Sequence, residues 1–310
     1  MFLPPKQKLS TWAIQVPSLI WAFTESDFFT FVIPNSAFGI LGAFAASSFS
    51  EGVQPSVIDV LRRIPLIIIY NWSNLLSFDL ANQRAPESVA EDCINKPWRP
   101  LPMGKITSDQ TRRAMLASVP LTLWLNHGLG VWEQGVAIHI GTWLYNDLRG
   151  MDEIFVREVL ISVAYAMFNS GSLQIALGPE ASISRNGIIW IAIISGLVLT
   201  TMQIQDLKDQ EGDKLRGRNT IVLFLGDKVS RRSIAFFVCF WSLVCAFFCS
   251  LSAWQCIIPV LPAVLIAWRV LMMRSQKEDR RSWHLWCAWL VCLYSLPIIG
   301  RALLSVGQYA

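Results

Sequence analysis

The stretch QDLKDQEGDKLRGRNT, residues 205–220, sets Asp206, Asp209, Glu211 and Asp213 directly behind an apolar run that ends at Ile204. A bilayer is crossed by a helix of roughly 17–25 mostly apolar residues, and the run at 187–204 meets that length. On a helix Asp206, Asp209 and Asp213 share one face, because they are three and four residues apart. Like charges stacked this way repel unless a cation lies between them. Mg2+ suits such a place: it is a hard ion that takes oxygen ligands and usually binds through one or two carboxylates plus substrate phosphates. A solvated acidic cap on a membrane helix is the plainer alternative.

The rest of the chain is of the same kind. Of its 310 residues 53% are hydrophobic and 15% charged, with a mean hydropathy of +0.43, outside the range of soluble domains. The pattern reads as an all-α integral membrane protein, a bundle of about nine transmembrane helices. The expected spans are 29–47, 60–79, 113–126, 130–145, 159–177, 187–204, 233–251, 257–271 and 283–304, the third and fourth being short and interrupted by polar residues. The longest polar interval, 84–112, is too short to build its own core, so residues 1–310 read as a single transmembrane domain. The opening MFLPPKQKLS lacks the ordered regions of a removable signal peptide, which leaves targeting to the first helix. Of the 7 cysteines, Cys239, Cys245, Cys249, Cys256, Cys287 and Cys292 lie in or beside the last three spans. With no C-x-x-C spacing they read as small apolar packing residues.

Charge sets an expected orientation. If the N-terminal tail and the loops after the second, fourth, sixth and eighth helices share one side, that side holds all of the 26 Lys and Arg except Arg62, Arg63, Arg185 and Arg301. The positive-inside rule makes it cytoplasmic, and a net charge of +4 needs no nucleic-acid partner to explain it. The loop after the second helix, FDLANQRAPESVAEDCINKPWRPLP, falls on the same side as residues 205–220, so two acidic clusters can face each other across a central cavity opening to the cytoplasm. Pro86 disfavours helix at Ala85 and suits the first position of a new one, so the second helix should end near Arg84 and a short helix begin at Pro86. Glu87, Glu91 and Asp92 then ride the short helix, and Asp79 ends the membrane helix. Lys96, Arg99 and Lys105, interleaved with them, can contact the outer oxygens of a metal-bridged diphosphate, although a single basic residue beside a membrane more often meets lipid headgroups.

Acidic clusters with metal and basic residues at the mouth of a lipid-embedded cavity fit an amphiphile with a diphosphate head and a hydrocarbon tail, an isoprenoid diphosphate. Metal and cations stabilise the leaving diphosphate while the allylic carbon–oxygen bond breaks to a carbocation. That cation must be kept from bulk water, and aromatic faces stabilise it without attacking it. The 14 Trp, 17 Phe and 5 Tyr can line such a pocket, Tyr70 and Trp72 among the candidates. Asn35, Asn71, Asn74, Asn169, Gln174, Gln203 and Gln205 lie inside or at the ends of spans, where each either lines the cavity or bonds to a neighbouring helix. His127, His139 and His284 have no ligand spacing. The chain contains no G-x-S-x-G, P-loop or dinucleotide fingerprint and no internal repeat.

These motifs resemble the UbiA-type superfamily of intramembrane prenyltransferases over most of the chain. DLKDQEGDKLRGRNT is similar to the family's D-x-x-D-x-E-G-D with its following basic residue, here Lys214, then a glycine and a threonine. The resemblance implies that Asp206, Asp209 and Asp213 bind magnesium and that Lys214 contacts the diphosphate. NKPWRPLPMGKIT resembles the segment N-[KR]-P-x-x-P-[LI]-x-x-G. The first motif, N-D-x-x-D-x-x-x-D in the prenyltransferases, is altered. Counting back from Asn95 puts Asp92 at its last position but Ser88, Ala85 and Arg84 at the others, and aligning on Asp79 yields Gln83 where an Asp belongs. The replacing text, and more weakly FTESDFFTFVIPNSAFG in the first helix, resembles a fungal branch of membrane-bound terpene cyclases. Metal binding in the first loop would then fall to Asp79, Glu87, Glu91 or Asp92, with Glu91 and Asp92 favoured by the nearby basic run.

The resemblance implies a Mg2+-dependent cyclase of farnesyl or geranylgeranyl diphosphate in terpenoid biosynthesis, multi-pass in the endoplasmic reticulum membrane of a fungus. A transferase passing the prenyl group to an aromatic or other small acceptor explains the second motif equally well and the altered first motif less well. A carrier or channel with an acidic vestibule leaves the second motif unexplained.

Overall fold

In a computed structural model of the chain, which describes the backbone of residues 9–307 and the side chains of 16–300, six helices are long and apolar enough to cross a membrane. They are Val16–Phe44, Val57–Gln83, Ile154–Leu177, Arg185–Lys208, Asp227–Phe248 and Gln276–Gly300. Three further helices stand where spans are expected but fall short of that standard. Trp132–Asn146 and Ile257–Met272 have 15 and 16 residues, which at 1.5 Å per residue is less than a hydrocarbon core of about 30 Å. Ser108–Gly128 opens on Asp109, Arg112 and Arg113. The residues MFLPPKQK at the N-terminus and the side chain of Arg301 lie outside the described residues.

The first helix begins well before residue 29. Its first part, α1 (Leu9–Asp27), passes through a widened π-helical turn, Phe28–Val32, into α2 (Ile33–Phe44). Pro34 has no N–H to give the carbonyl four residues back, which loosens the turn at Thr30. The Cys287 thiol donates to the Thr30 carbonyl instead, at 3.6 Å. Helix α3 (Val57–Gln83) starts in a capping box between Ser56 and Asp59 and stops before Ala85, which is extended (φ −69°, ψ 141°) ahead of Pro86. Pro86 opens α4 (Pro86–Asn95), as expected of a proline at a first helical position. There follow α5 (Ser108–Gly128), α6 (Trp132–Asn146), α7 (Ile154–Leu177), α8 (Arg185–Thr201), α9 (Gln210–Arg216), α10 (Asp227–Phe248), α11 (Ile257–Met272) and α12 (Gln276–Gly307).

The packing closes a ring. Helix α7 contacts α2, α3, α6 and α8; α8 then packs on α10, α10 on α11, α11 on α12, and α12 returns to α2. Gly39 lets α2 lie directly on α7, since any Cβ there would fall inside the Ser172 carbonyl; small residues at helix contacts are how membrane bundles gain close packing. Several buried amides join helices rather than face the cavity. Asn71 donates to Ser36 and Ser172 at 3.1 and 2.8 Å, and Asn74 and Asn126 exchange amide bonds at 3.0 Å. A two-stranded ribbon, Ser50–Gly52 with Ala181–Ile183 antiparallel, ties the chain after α2 to the connection between α7 and α8; the helical reading of the sequence has no place for it. All seven cysteines are free.

Candidate active site

The site is built around a break in the long helix Arg185–Lys208. At Met202 α8 tightens into a 3-10 helix, Met202–Lys208, and Asp209 (φ −107°, ψ 6°) ends it before α9 begins. No continuous α-helix therefore carries the three aspartates, contrary to the sequence reading. In a 3-10 turn residues i and i+3 eclipse, which keeps Asp206 and Asp209 on one side, and Asp213 follows one turn into α9. Gly212 brings α9 against Asn95 at the end of α4: a Cβ at 212 would overlap the Asn95 amide, which donates to the Asp209 carbonyl at 3.1 Å. The glycine of the second motif and the asparagine of the N-K-P segment thus fit one another. Gly212→Ala should push Asn95 off Asp209, costing about 1–3 kcal/mol as overpacking does. A variant with the parent's melting temperature would overturn that.

The first loop meets the second motif through arginines. Ser88, Asp92 and Asn95 form the buried face of α4. Arg99 holds Asp92 with one nitrogen at 3.0 Å from both oxygens, and reaches Asp27 at 2.9 Å with another. Arg218 pairs with Asp213 at 3.2 Å and with Glu91 at 3.1 Å. Arg216 also holds Glu91, at 3.1 Å, and donates to Ser88 at 2.7 Å. From α7, Arg157 grips Asp206 with two nitrogens at 2.7 and 3.0 Å and touches Glu158 at 2.6 Å. Lys208 pairs with Asp209.

Most of these groups, though not Ser88, Glu158, Lys208 or Arg216, line a cavity with an empty volume of about 1360 Å³, open solvent at its mouth included. Asp79, Glu91, Asp92, Asp206, Asp209, Asp213, Lys96 and Arg99 are all on its wall, as is Gln205. Glu87, Lys105 and Lys214 are not; each is exposed. Glu87 precedes the inward face of α4, Lys105 lies in the loop beyond Arg99, and Lys214 is on the outer face of α9. Tyr70 and Trp72 are also off the wall, the first donating to the Met167 carbonyl and the second to Thr24. Three charged wall residues go unpicked in the sequence reading: Asp27, Arg157 and Arg218. Asp27 stands in the quoted FTESDFFTF, ahead of where the first span is expected to start. Arg157 lies just outside the expected span at 159–177, and a charge buried in a spanning helix is itself a functional signal. The same wall carries the aromatic rings of Phe31, Phe78, Tyr145, Tyr165 and Phe168.

Seven carboxylates and four basic side chains share this wall, so the mouth has an acidic excess. Burial, with Asp206 and Glu91 nearby, pushes the Asp213 carboxyl up to about 7 against the pull of Arg218. Burial likewise raises Asp92, although Arg99 and Lys96 oppose it. Burial acts on Asp209 too, but Lys208, Lys96 and Arg99 outweigh it and hold that carboxyl below the usual range. Asp213 Oδ2, Asp79 Oδ2 and Asn95 Oδ1 are buried oxygens without a hydrogen-bond partner. Among the described residues no three acidic, His or Cys side chains converge as a closed metal cage. The orphaned carboxylate oxygens and the acidic excess are hard donors of the kind Mg2+ takes when it shares its ligands with a phosphate.

Fold and site together define an all-helical integral membrane protein with a charged mouth on an aromatic-walled cavity. The UbiA prenyltransferase family matches residues 77–293, and the chain belongs to it. It is 27% identical over 226 residues to the diterpene cyclase eriG of Hericium erinaceus, covering 71% of this chain and 67% of that protein. It is 28% identical over 231 residues to the polyprenyl transferase eriF of the same organism, covering 70% of this chain and 72% of that protein. A UbiA homolog from Archaeoglobus fulgidus, solved bound to GPP and Mg2+, has the same fold with a TM-score of 0.62 at 11% identity, covering 90% of this chain and 99% of that one.

Proposed function

We propose that this protein is a membrane-bound terpene cyclase that ionises a linear isoprenoid diphosphate, farnesyl or geranylgeranyl diphosphate, and closes the carbocation into a cyclic terpene with release of diphosphate. The observation that carries this reading is the joining, in one cavity, of a mouth rich in carboxylates and arginines to a wall of aromatic rings. Asp206, Asp209 and Asp213, with Glu91 and Asp92 opposite, would hold Mg2+, as the GPP-bound relative supports. The ion would supply positive charge to the departing diphosphate.

The protein's own residues do the rest. Lys96, Arg99, Arg157 and Arg218 present fixed N–H donors at the mouth, where negative charge develops as the allylic carbon–oxygen bond breaks. Phe31, Phe78, Tyr145, Tyr165 and Phe168 turn π faces and apolar edges to the hydrocarbon, and their packing keeps bulk water from the cation. The reading further places the charged mouth on the cytoplasmic side of the endoplasmic reticulum membrane of a fungus, with the three shorter helices completing nine spans.

Prenyl transfer to an aromatic or other small acceptor is the competing reading, favoured by the match to eriF. Membranes holding the protein, given geranyl, farnesyl and geranylgeranyl diphosphate with Mg2+ and no acceptor, should yield a cyclic product in an organic extract analysed by gas chromatography and mass spectrometry. No cyclic product from any of the three would sink cyclisation.

A further inference from the structure

Beyond the aromatic wall the bundle hides a knot of polar side chains that the charged mouth does not use. Asn169 is 1% exposed, and neither its Oδ1 nor its Nδ2 has a hydrogen-bond partner. The hydroxyls of Tyr165 and Tyr294, each residue 1% exposed, are likewise unpartnered, as is Asn35 Oδ1 on a residue with no exposure. Orphaned buried polar atoms are rare and costly one at a time. Five in one region of an apolar core call for a ligand.

Their places in the fold bring them together. Tyr165 and Asn169 are one turn apart on α7, which puts them on the same face. Asn35 lies on α2 between Phe31 and Phe38, at the spacing of a single helix face. The Phe31 ring meets Tyr165 and Phe168 with centroids at 5.0 and 4.7 Å, and Phe38 meets Tyr294 of α12 at 5.1 Å. Asn35 therefore looks into the junction of α2, α7 and α12. There the Asn169 amide lies within hydrogen-bond reach of the Tyr294 hydroxyl, although the two are not aligned as a hydrogen bond. Tyr165 is the link to the cavity, whose wall it joins. On α7 it is eight residues beyond Arg157, roughly 12 Å along the helix at the helical rise.

We infer that Tyr165, Asn169, Tyr294 and Asn35 hold a water molecule beside the aromatic wall of the cavity, and that this water ends the cyclisation. A buried water takes two to four polar partners, and this knot supplies two hydroxyls, an amide and an amide oxygen. Asn Oδ1 atoms accept the water's hydrogens and turn an oxygen lone pair toward the hydrocarbon. That oxygen forms a carbon–oxygen bond to the cyclic carbocation. The resulting oxonium gives up one proton, whose final acceptor is the released diphosphate, leaving a cyclic alcohol. One fixed water is compatible with a cavity that excludes bulk solvent, because it reaches only the carbon that folding of the chain brings to it. Asn169, Tyr294 and Asn35 are positioning residues in this scheme; none lines the cavity.

The inference rests on the cyclase reading, and one experiment separates the two. Membranes with Mg2+ and each isoprenoid diphosphate are incubated in heavy-oxygen water, and the extract is analysed by mass spectrometry alongside diphosphate release. The parent protein should give a cyclic alcohol carrying the solvent's heavy oxygen. Tyr294→Phe and Asn169→Leu, which remove polar atoms at nearly constant volume and away from the cavity wall, should each shift the alcohol-to-hydrocarbon ratio roughly tenfold toward hydrocarbon, about 1.4 kcal/mol between the two exits. Diphosphate release should stay within about threefold, since ionisation happens at the charged mouth. Cyclic hydrocarbon alone from the parent, an alcohol without label, or unchanged ratios in both variants would each overturn the inference while leaving cyclisation standing. No cyclic product at all would remove the cyclase reading itself.

Discussion

Replacing Asp209 and Asp213 together by alanine is expected to cut diphosphate release by about a thousandfold, or ~4 kcal/mol of lost transition-state stabilisation. The fold should survive. Asp209 is paired only with its neighbour Lys208, and Asp213 is bonded through one oxygen to Arg218 while the other is unpartnered. In the metal-free protein the Asp213 carboxyl sits at about 7, chiefly because it is buried. Between the ordinary carboxylate range and that value the folded state keeps a proton that the unfolded chain has lost, so this group's contribution to stability falls as pH rises through the window. The alanine variant should lose that slope but, with buried Lys208 left without its partner, melt somewhat lower than the parent at neutral pH. Release of diphosphate within tenfold of the parent, from folded protein, would count against cyclase and transferase alike and return the carrier reading to consideration.

The helices were legible because a bilayer imposes length and apolarity on each one. Pro86 was equally legible, since a proline constrains the residue before it wherever it occurs. The misses share a different cause. Asp27 precedes a loosened turn set by Pro34, and the charges around TESD hide the fact that the helix runs through them. Arg157 and Arg218 matter because they reach Asp206 and Glu91 on other segments, and spacing along one segment cannot report a pairing between segments. Glu87, Lys105 and Lys214 have the right chemistry and lie in the right segments, but which face of a short helix, or which side of a loop, turns inward depends on what packs against it. The altered first motif gains a physical account at the same point. Asp92 is clamped by Arg99, and Glu91 is shared by Arg216 and Arg218, so the first loop carries its carboxylates already paired with cations.

Arg157→Leu is expected to do more damage than any carboxylate change at the mouth, and through stability rather than chemistry alone. Arg157, Glu158 and Asp206 are each 2% exposed, with the guanidinium bonded to both acids. Removing one partner of a buried ion pair costs about 3–5 kcal/mol, because the charge left behind has neither water nor a counter-ion. Here two carboxylates would be left, and Asp206 heads the broken helix that carries the second motif, so the cavity mouth should lose its shape along with its charge. Arg157→Lys keeps the charge but gives up the two-pronged grip on Asp206; it should fold, melt lower than the parent, and release diphosphate more slowly. Glu158→Gln should be the mildest of the three, since Glu158 Oε2 already lacks a partner and Asp206 remains to neutralise the guanidinium. Size-exclusion chromatography and thermal unfolding in detergent would rank the set, with Glu158→Gln the most stable, Arg157→Lys intermediate and Arg157→Leu the least. If Arg157→Leu instead elutes and melts like the parent, the arginine is solvated rather than buried, and Asp206 is held by something other than α7.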